Sequence, residues 1–282
     1  MQVYHNNQKG SDSMFRSCVH THTYFCDGKD APEAMVLEAL DRGFVSLGFS
    51  GHGWADYDIA SMTPEKELQY RAEIQRLQQV YGSQIEILLG LEHDSLMPYP
   101  DFPYEYLIES LHYIAYNGEK LSIDWTSERS EGNIRKHFGG DPYGFTTAYF
   151  NACAAAYEKS PAQIAGHIDL VSKFNEGGCM FDEEDPRYLA PAKEAMACAV
   201  ERGMVVERNT GANSRGYRTA PYPSIPLLCH LKDLGGRVIV TSDCHNKAHL
   251  TCFYDEAAEL LKACGFRSTL VLRKQGFVEE AL

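Results

Sequence analysis

The sequence has no apolar run approaching the roughly 20 residues that a bilayer-spanning helix needs. Its first ten residues, Met1 to Gly10, are polar and lack the apolar stretch of a secretory signal. Positive charge is scarce: 26 Lys plus Arg against 39 Asp plus Glu leave a formal charge of −13, which argues against a nucleic-acid backbone as ligand. No C-x-x-C pair occurs among the nine cysteines, and their odd number and wide scatter speak against a disulfide framework or a zinc knuckle. Most lie in apolar stretches, where a free thiol acts as a small buried hydrophobe. These absences lead us to expect a soluble cytoplasmic protein with no membrane and no nucleic-acid partner. They say nothing of its oligomeric state.

What is present is globular in character. A chain of 282 residues that is 44% hydrophobic and 11% aromatic, with 23 Gly and 12 Pro, is not intrinsically disordered over most of its length. Helical patterns carry their own punctuation. Thr63 caps and Pro64 opens a helix whose Tyr70, Ile74, Leu77 and Tyr81 share one face, and Gly82 closes it. Segments around 33–40, 192–200, 225–234 and 255–263 repeat the pattern, stopped by Gly43, Gly203, Gly235 and Gly265. Between them fall seven strand candidates, 15–19, 44–49, 85–91, 106–111, 163–166, 205–208 and 237–240. Strands alternating with helices imply a parallel sheet, and this number of units favours a closed α/β barrel of the TIM-like kind. The expected organisation is an N-terminal extension, 1–14, with little order, followed by one barrel domain, 15–282. The stretches 98–104 and 116–142 read as long loops within it.

The chemistry collects where the strands end. Strand one runs into His20, His22 and Asp27, strand two into His52, strand three into Glu92 and strand four into His112. Strand five is followed by His167 and Asp169, strand six holds Glu207, Arg208 and Asn209, and strand seven runs into Asp243 and His245. In a parallel barrel all these ends open on one face, so groups more than two hundred residues apart would meet. His20 and His22 are two apart and point the same way in an extended strand, as do Asp243 and His245, so each pair can chelate. Imidazole with carboxylate and no thiolate suits zinc, iron or manganese. His93 follows Glu92 and should face the other side of its strand, a place for a core or supporting residue. His5, His137, His230 and His249 carry no assigned function.

The succession HTH, CDG, SGH, GLE, SLH, GHIDL and SDCH, over residues 15–272, resembles the polymerase and histidinol phosphatase (PHP) family, and within it the histidinol-phosphate phosphatase branch. The resemblance implies a distorted seven-stranded β/α barrel and a trinuclear centre that hydrolyses phosphomonoesters. It implies His20, His22, Glu92 and Asp243 on a first ion, Glu92 with His112 and His167 on a second, and Asp27, His52 and His245 on a third. The ions would be zinc, iron or manganese. The chain departs from the family at Cys18, where an acidic residue is usual, which touches the tuning of the first site rather than metal binding itself.

The expected reaction is hydrolysis of L-histidinol phosphate in histidine biosynthesis, with Asp243 and His245 as candidate catalytic residues. The leaving group's proton would come from Asp243 or from a coordinated water. Arg215, whose guanidinium matches phosphate geometry, and Lys173 are the candidate substrate-binding cations. Arg208 is instead a candidate structural partner for Glu207 or Glu201. Glu119, Asp124, Glu128 and Glu131 are the acids on offer for the substrate amine. Two alternatives stay open: another small phosphate ester, such as a nucleotide or sugar phosphate, or a metal-binding barrel that has lost catalysis.

Overall fold

The computed structural model describes residues 16–282, so the proposed extension 1–14 and His5 lie outside the described residues. Eleven strands and eight α-helices follow in the order β1 (Ser17–Cys18), α1 (Pro32–Asp41), β2 (Ser46–Phe49), α2 (Pro64–Tyr81), β3 (Glu86–Asp94), β4 (Tyr106–Ser110), β5 (Tyr113–Tyr116), β6 (Glu119–Ser122), α3 (Ser127–Phe138), α4 (Pro142–Lys159), β7 (Ile164–Ala165), α5 (Pro186–Glu201), β8 (Val205–Asn209), α6 (Gly211–Ser214), α7 (Ile225–Asp233), β9 (Arg237–Thr241), α8 (Tyr254–Ala263), β10 (Ser268–Arg273) and β11 (Gly276–Ala281). Caps and breakers act as the sequence predicts: the Thr63 hydroxyl accepts from the Lys66 amide at 3.2 Å, and Pro64 opens α2. No described helix is long and apolar enough to cross a membrane.

The expected count of seven strands is corrected by a nine-stranded sheet, in the order β1-β2-β3-β4-β7-β8-β9-β10-β11. All seven predicted segments are in it, each parallel to its neighbours. Added to them are β10, parallel to β9, and the antiparallel edge strand β11. The sheet curls: β1 and β9 are far apart in its order, yet the segments that follow them meet in a parallel bridge, Thr21 with Cys244. Lower down, β10 lies against β1, and the Ser46 hydroxyl donates to the Leu272 carbonyl at 2.9 Å. The segment 116–142 is also not a loop, since it holds most of the β5–β6 hairpin and α3.

Two apolar cores sit on either side of this sheet. The larger lies between sheet and helices. The smaller fills the inside of the curl with Val19, Leu88, Tyr106, Ile108, Ile164, Val205, Ile239 and Leu272. Period-two alternation then carries the inner face upward along each strand. Leu88 leads to Gly90 and Glu92, Ile108 to Ser110 and His112, Val205 to Glu207 and Asn209, and Ile239 to Thr241 and Asp243. Tyr106 crosses this interior and donates to the Val19 carbonyl at 2.6 Å. A Cβ at Gly48 or Gly90 would stand 2.4 or 2.3 Å from its side chain, so both positions require glycine. The apolar plug is thus the support on which the polar end rests.

The cysteines are less buried than expected. All nine are free, but only Cys18, Cys153 and Cys244 are fully buried.

Candidate metal centre

All nine side chains singled out as ligands converge at the carboxyl ends of the strands, in four overlapping groups. Glu92 is central. Its Oε2 lies 3.2 Å from His20 Nε2, 3.4 Å from His22 Nε2 and 3.0 Å from His52 Nδ1. Its Oε1 lies 3.0 Å from His167 Nε2 and 3.5 Å from His112 Nε2. Asp243 Oδ1 stands 3.3 Å from His22 Nε2 and 3.7 Å from His20 Nε2. Asp27 faces His245 Nε2 at 3.0 Å, and His52 Nε2 and His22 Nδ1 at 3.6 Å each. His52 thus reaches both Glu92 and Asp27, and His22 reaches both Asp27 and Asp243.

Local backbone explains the convergence. His20 and His22 flank the bridge at Thr21, with the His22 amide donating to the Cys244 carbonyl at 2.8 Å and the Cys244 amide to the His20 carbonyl at 3.0 Å. Strand parity does not carry on from Asp243 to His245, because Asp243 adopts a left-handed φ of 44°. That turn is possible because residue 211 is glycine: a Cβ there would lie 2.7 Å from Asp243 Cβ.

The donor set fits divalent transition metals on an observation internal to the protein. His20 Nε2, His22 Nε2 and Glu92 Oε2 are buried, face one another and have no hydrogen-bond partner. Orphan polar atoms of this kind cost free energy in a dry interior unless a cation is shared among them. Donors held at roughly 2.1 Å around a tetrahedral ion stand roughly 3.4 Å apart, the spacing seen here.

Electrostatics prepare the same state. Burial opposes the charge on Glu92, but His20, His52 and His112 outweigh it and hold the carboxyl well below its usual range. Burial likewise opposes the charge on Asp243, and Arg215 and His20 outweigh it. Both are carboxylates. His22 is pushed down to about 3, by burial first and then by His245 and His52, so its ring is neutral and ready to donate a lone pair. For His112 burial acts downward, while Glu92 and Asp94 lift it to about 9. A metal ion would displace that proton.

Behind the ligands stands a residue to which the sequence reading assigned no role of its own. The Glu207 carboxylate, buried inside β8, accepts from His20 Nδ1 at 2.6 Å and from the Thr241 hydroxyl at 2.6 Å, and its other oxygen accepts from the His167 amide at 2.8 Å. It fixes the His20 tautomer that leaves Nε2 free for a metal. The signal was its inward parity with Val205 and Asn209. Cys18 does not perform this task, since its thiol points to the His20 carbonyl and to Ser242. Asp94 supports His112 by accepting its amide at 3.2 Å. His93 faces away, as expected, between Glu109 and the Met97 carbonyl. Arg208 is not paired with Glu207 or Glu201: it is fully buried, and Nη1 donates to the Pro221 and Pro223 carbonyls.

Seven of the nine candidate ligands, all but His20 and His22, line a cavity of about 320 Å³ that Arg215 and Lys173 also line. Arg215 donates to Asp243 Oδ2 at 3.0 Å and lies 2.7 Å from His245 Nδ1. Lys173 donates to the Asp124 carboxylate at 2.9 Å. Of the four acids considered for an amine, Asp124 alone lines this cavity. Glu119 pairs with Lys136 and Glu131 with Arg135, while Glu128 lies in the first turn of α3.

Residues 19–211 match the model of the PHP domain family. A Schizosaccharomyces pombe protein named "probable histidinol-phosphatase" is 26% identical, with 90% of this chain and 89% of that protein covered. A solved structure from Listeria monocytogenes superposes with a TM-score of 0.75 at 23% identity, covering 85% of this chain and 99% of that one. Histidinol phosphate phosphatase from Lactococcus lactis, solved with zinc, L-histidinol and phosphate, gives a TM-score of 0.69 at 19% identity over 93% of this chain and 98% of that one.

Proposed function

The chain belongs to the PHP domain family, and from that premise we propose that it is a metal-dependent phosphomonoesterase that converts L-histidinol phosphate to L-histidinol and phosphate. The observation that carries the reading is the convergence of His20 Nε2, His22 Nε2 and Glu92 Oε2, buried and without partners, with Glu92 reaching the wall of a cavity that also presents a guanidinium. The relatives named for histidinol phosphatase activity support the choice of substrate. Three ions are proposed: one with His20, His22, Glu92 and Asp243, one with Glu92, His112 and His167, and one with Asp27, His52 and His245. When bound, such ions neutralise phosphate charge and make water acidic enough to attack near neutral pH.

The remaining steps fall to the protein. Arg215 holds the phosphate with two parallel hydrogen bonds, a geometry lysine does not offer. Lys173, already bound to Asp124, is the second cation on the cavity wall. Asp243 and His245 touch both the ligand cluster and Arg215, so they stand beside the reacting oxygens. Asp243 is ionised, which suits it to hold a cation. The proton for the leaving alcohol is then drawn from water.

The test is phosphate release from L-histidinol phosphate, nucleoside monophosphates and p-nitrophenyl phosphate, with and without manganese, together with elemental analysis. More than one transition-metal equivalent per chain and the highest kcat/KM on L-histidinol phosphate are expected. A nucleotide turned over about tenfold better would keep the family and replace the substrate. Absence of activity in the metal-loaded protein would leave a metal-binding barrel.

A further inference from the structure

The cavity walls hold two carboxylates outside the proposed ligand set, Asp58 and Asp124. They differ in one respect. Asp124 is neutralised by Lys173, whereas Asp58 has no cationic side chain within 4.0 Å among the described residues. The nearby Lys120 is taken by Asp56 at 3.2 Å and lies over the Tyr57 ring. Asp58 is half-buried, and one oxygen of its carboxylate accepts from the Ala60 amide at 2.9 Å.

Its position is fixed. The Asp58 amide donates to the Ala55 carbonyl at 3.1 Å, and the Ser61 hydroxyl donates to the Asp58 carbonyl at 2.7 Å. The preceding residue, Tyr57, donates to Asp94 at 2.7 Å, and Asp94 in turn accepts the amide of His112. The turn that carries Asp58 is therefore tied to the carboxylate that supports a ligand histidine. The Tyr113 hydroxyl, also on the cavity wall, is pushed up to about 12, by burial first and by Asp58 next. Trp125 and Tyr217 present half-exposed aromatic faces to the same space.

We infer that Asp58 is the specificity residue for the cationic end of the substrate, binding its primary ammonium while Trp125 and Tyr217 receive the flat imidazole. This rests on the phosphatase reading above. Phosphate must lie on the floor with the ligands and Arg215, which leaves the organic end against the walls. A primary ammonium there needs an anion that no lysine or arginine already neutralises, and Asp58 supplies it.

The test compares metal-loaded parent and Asp58→Asn on L-histidinol phosphate, on its analogue lacking only the amine, and on p-nitrophenyl phosphate. Asparagine keeps the oxygen that accepts from Ala60, so the turn is preserved. The variant should raise KM for L-histidinol phosphate at least roughly tenfold with little change in kcat, and leave the other two substrates within about twofold. Equal losses on all three, or no change on any, would overturn the assignment. Calorimetric titration with L-histidinol and its deaminated counterpart gives a readout without turnover: the parent should prefer the amine at least roughly tenfold, and Asp58→Asn should erase the preference. If the parent hydrolysed no phosphate ester, the phosphatase reading would fall, and this titration alone would decide Asp58, equal affinities overturning it.

Discussion

The floor and the walls of the cavity are built on different principles. At the metal centre His20 and His22 are fully buried and Glu92 is 1% exposed; the two histidines flank the Thr21–Cys244 bridge, and Glu92 lies in β3, which is paired on both sides. On the walls Trp125 and Tyr217 are each 43% exposed, and Asp58, Trp125 and Tyr217 all lie in connecting segments outside the strands and helices. A ligand on a strand end has its position set by backbone pairing with neighbouring segments and by an apolar plug beneath it. A wall residue is positioned by a turn. On the proposed reading, metal chemistry falls to the part held by the sheet and substrate choice to the part whose sequence can change without disturbing it.

The largest effect should come from the floor. Glu92→Gln removes the anion shared by five imidazoles, and a loss of several kcal/mol of charge stabilisation, taken as about 4, corresponds to about a thousandfold in rate. Metal content per chain should fall with it. Full activity and full metal content in this variant would end the idea of a shared bridging carboxylate.

One layer out, Glu207→Gln keeps the volume but weakens the hold on His20. Metal affinity should drop by roughly 10- to 100-fold, measured by competition with a chelating dye. An unchanged affinity would reduce Glu207 to a structural hydrogen-bond partner.

Arg215 sits at the boundary between the two regions. Arg215→Met should lower kcat/KM at least roughly tenfold, mainly through KM, because charge-assisted hydrogen bonds to phosphate are each worth about 1.5–3 kcal/mol. Metal content should not fall, since the change leaves every proposed ligand in place and frees Asp243 from a competing cation. Kinetics like the parent's would pass the phosphate role to Lys173.

The smallest effect belongs to the wall pair Lys173–Asp124 and is one of stability. Burial acts against the Asp124 charge, but Lys173 and His112 outweigh it and bring the carboxyl down to about 2 from 3.8. A carboxyl depressed in the fold stabilises it above its unfolded pKa, and that contribution is lost as pH falls from about 4 toward 2. Its size is about 2 kcal/mol at most. Lys173→Met should therefore lower stability to urea at pH 7 by about 1–2 kcal/mol and flatten the dependence between pH 4 and 2. A slope equal to the parent's would show that the pair is only a surface contact.

The same division governs what was legible in the chain. The seven predicted strands are all present because short apolar runs ending in polar clusters mark buried parallel strands, and all nine proposed ligands meet because they sit at those ends. The β5–β6 hairpin was missed although Asn117–Gly118, both at positive φ, stand at its turn, the dipeptide such hairpins favour. The helix α3 was missed although Thr126 caps it and Gly139 ends it with a φ of 63°. Strands β10 and β11 had no comparable signal, because β10 pairs with β9 through one position and otherwise with the chain's last strand.

By itself the sequence determined the parallel strand-and-helix plan, the ligand types and the face on which they gather, since periodicity and strand-end chemistry are local properties. It could not decide which carboxylate is neutralised and which is free. Asp58 and Asp124 are equal as letters. They differ because the 3-10 turn after β7 brings Lys173 to one and no cation to the other. Glu207 is likewise one acid among many until the curl of the sheet lays it against His20, 187 residues away. Pairing between distant side chains depends on how the sheet curls, and that is settled only when the whole chain packs.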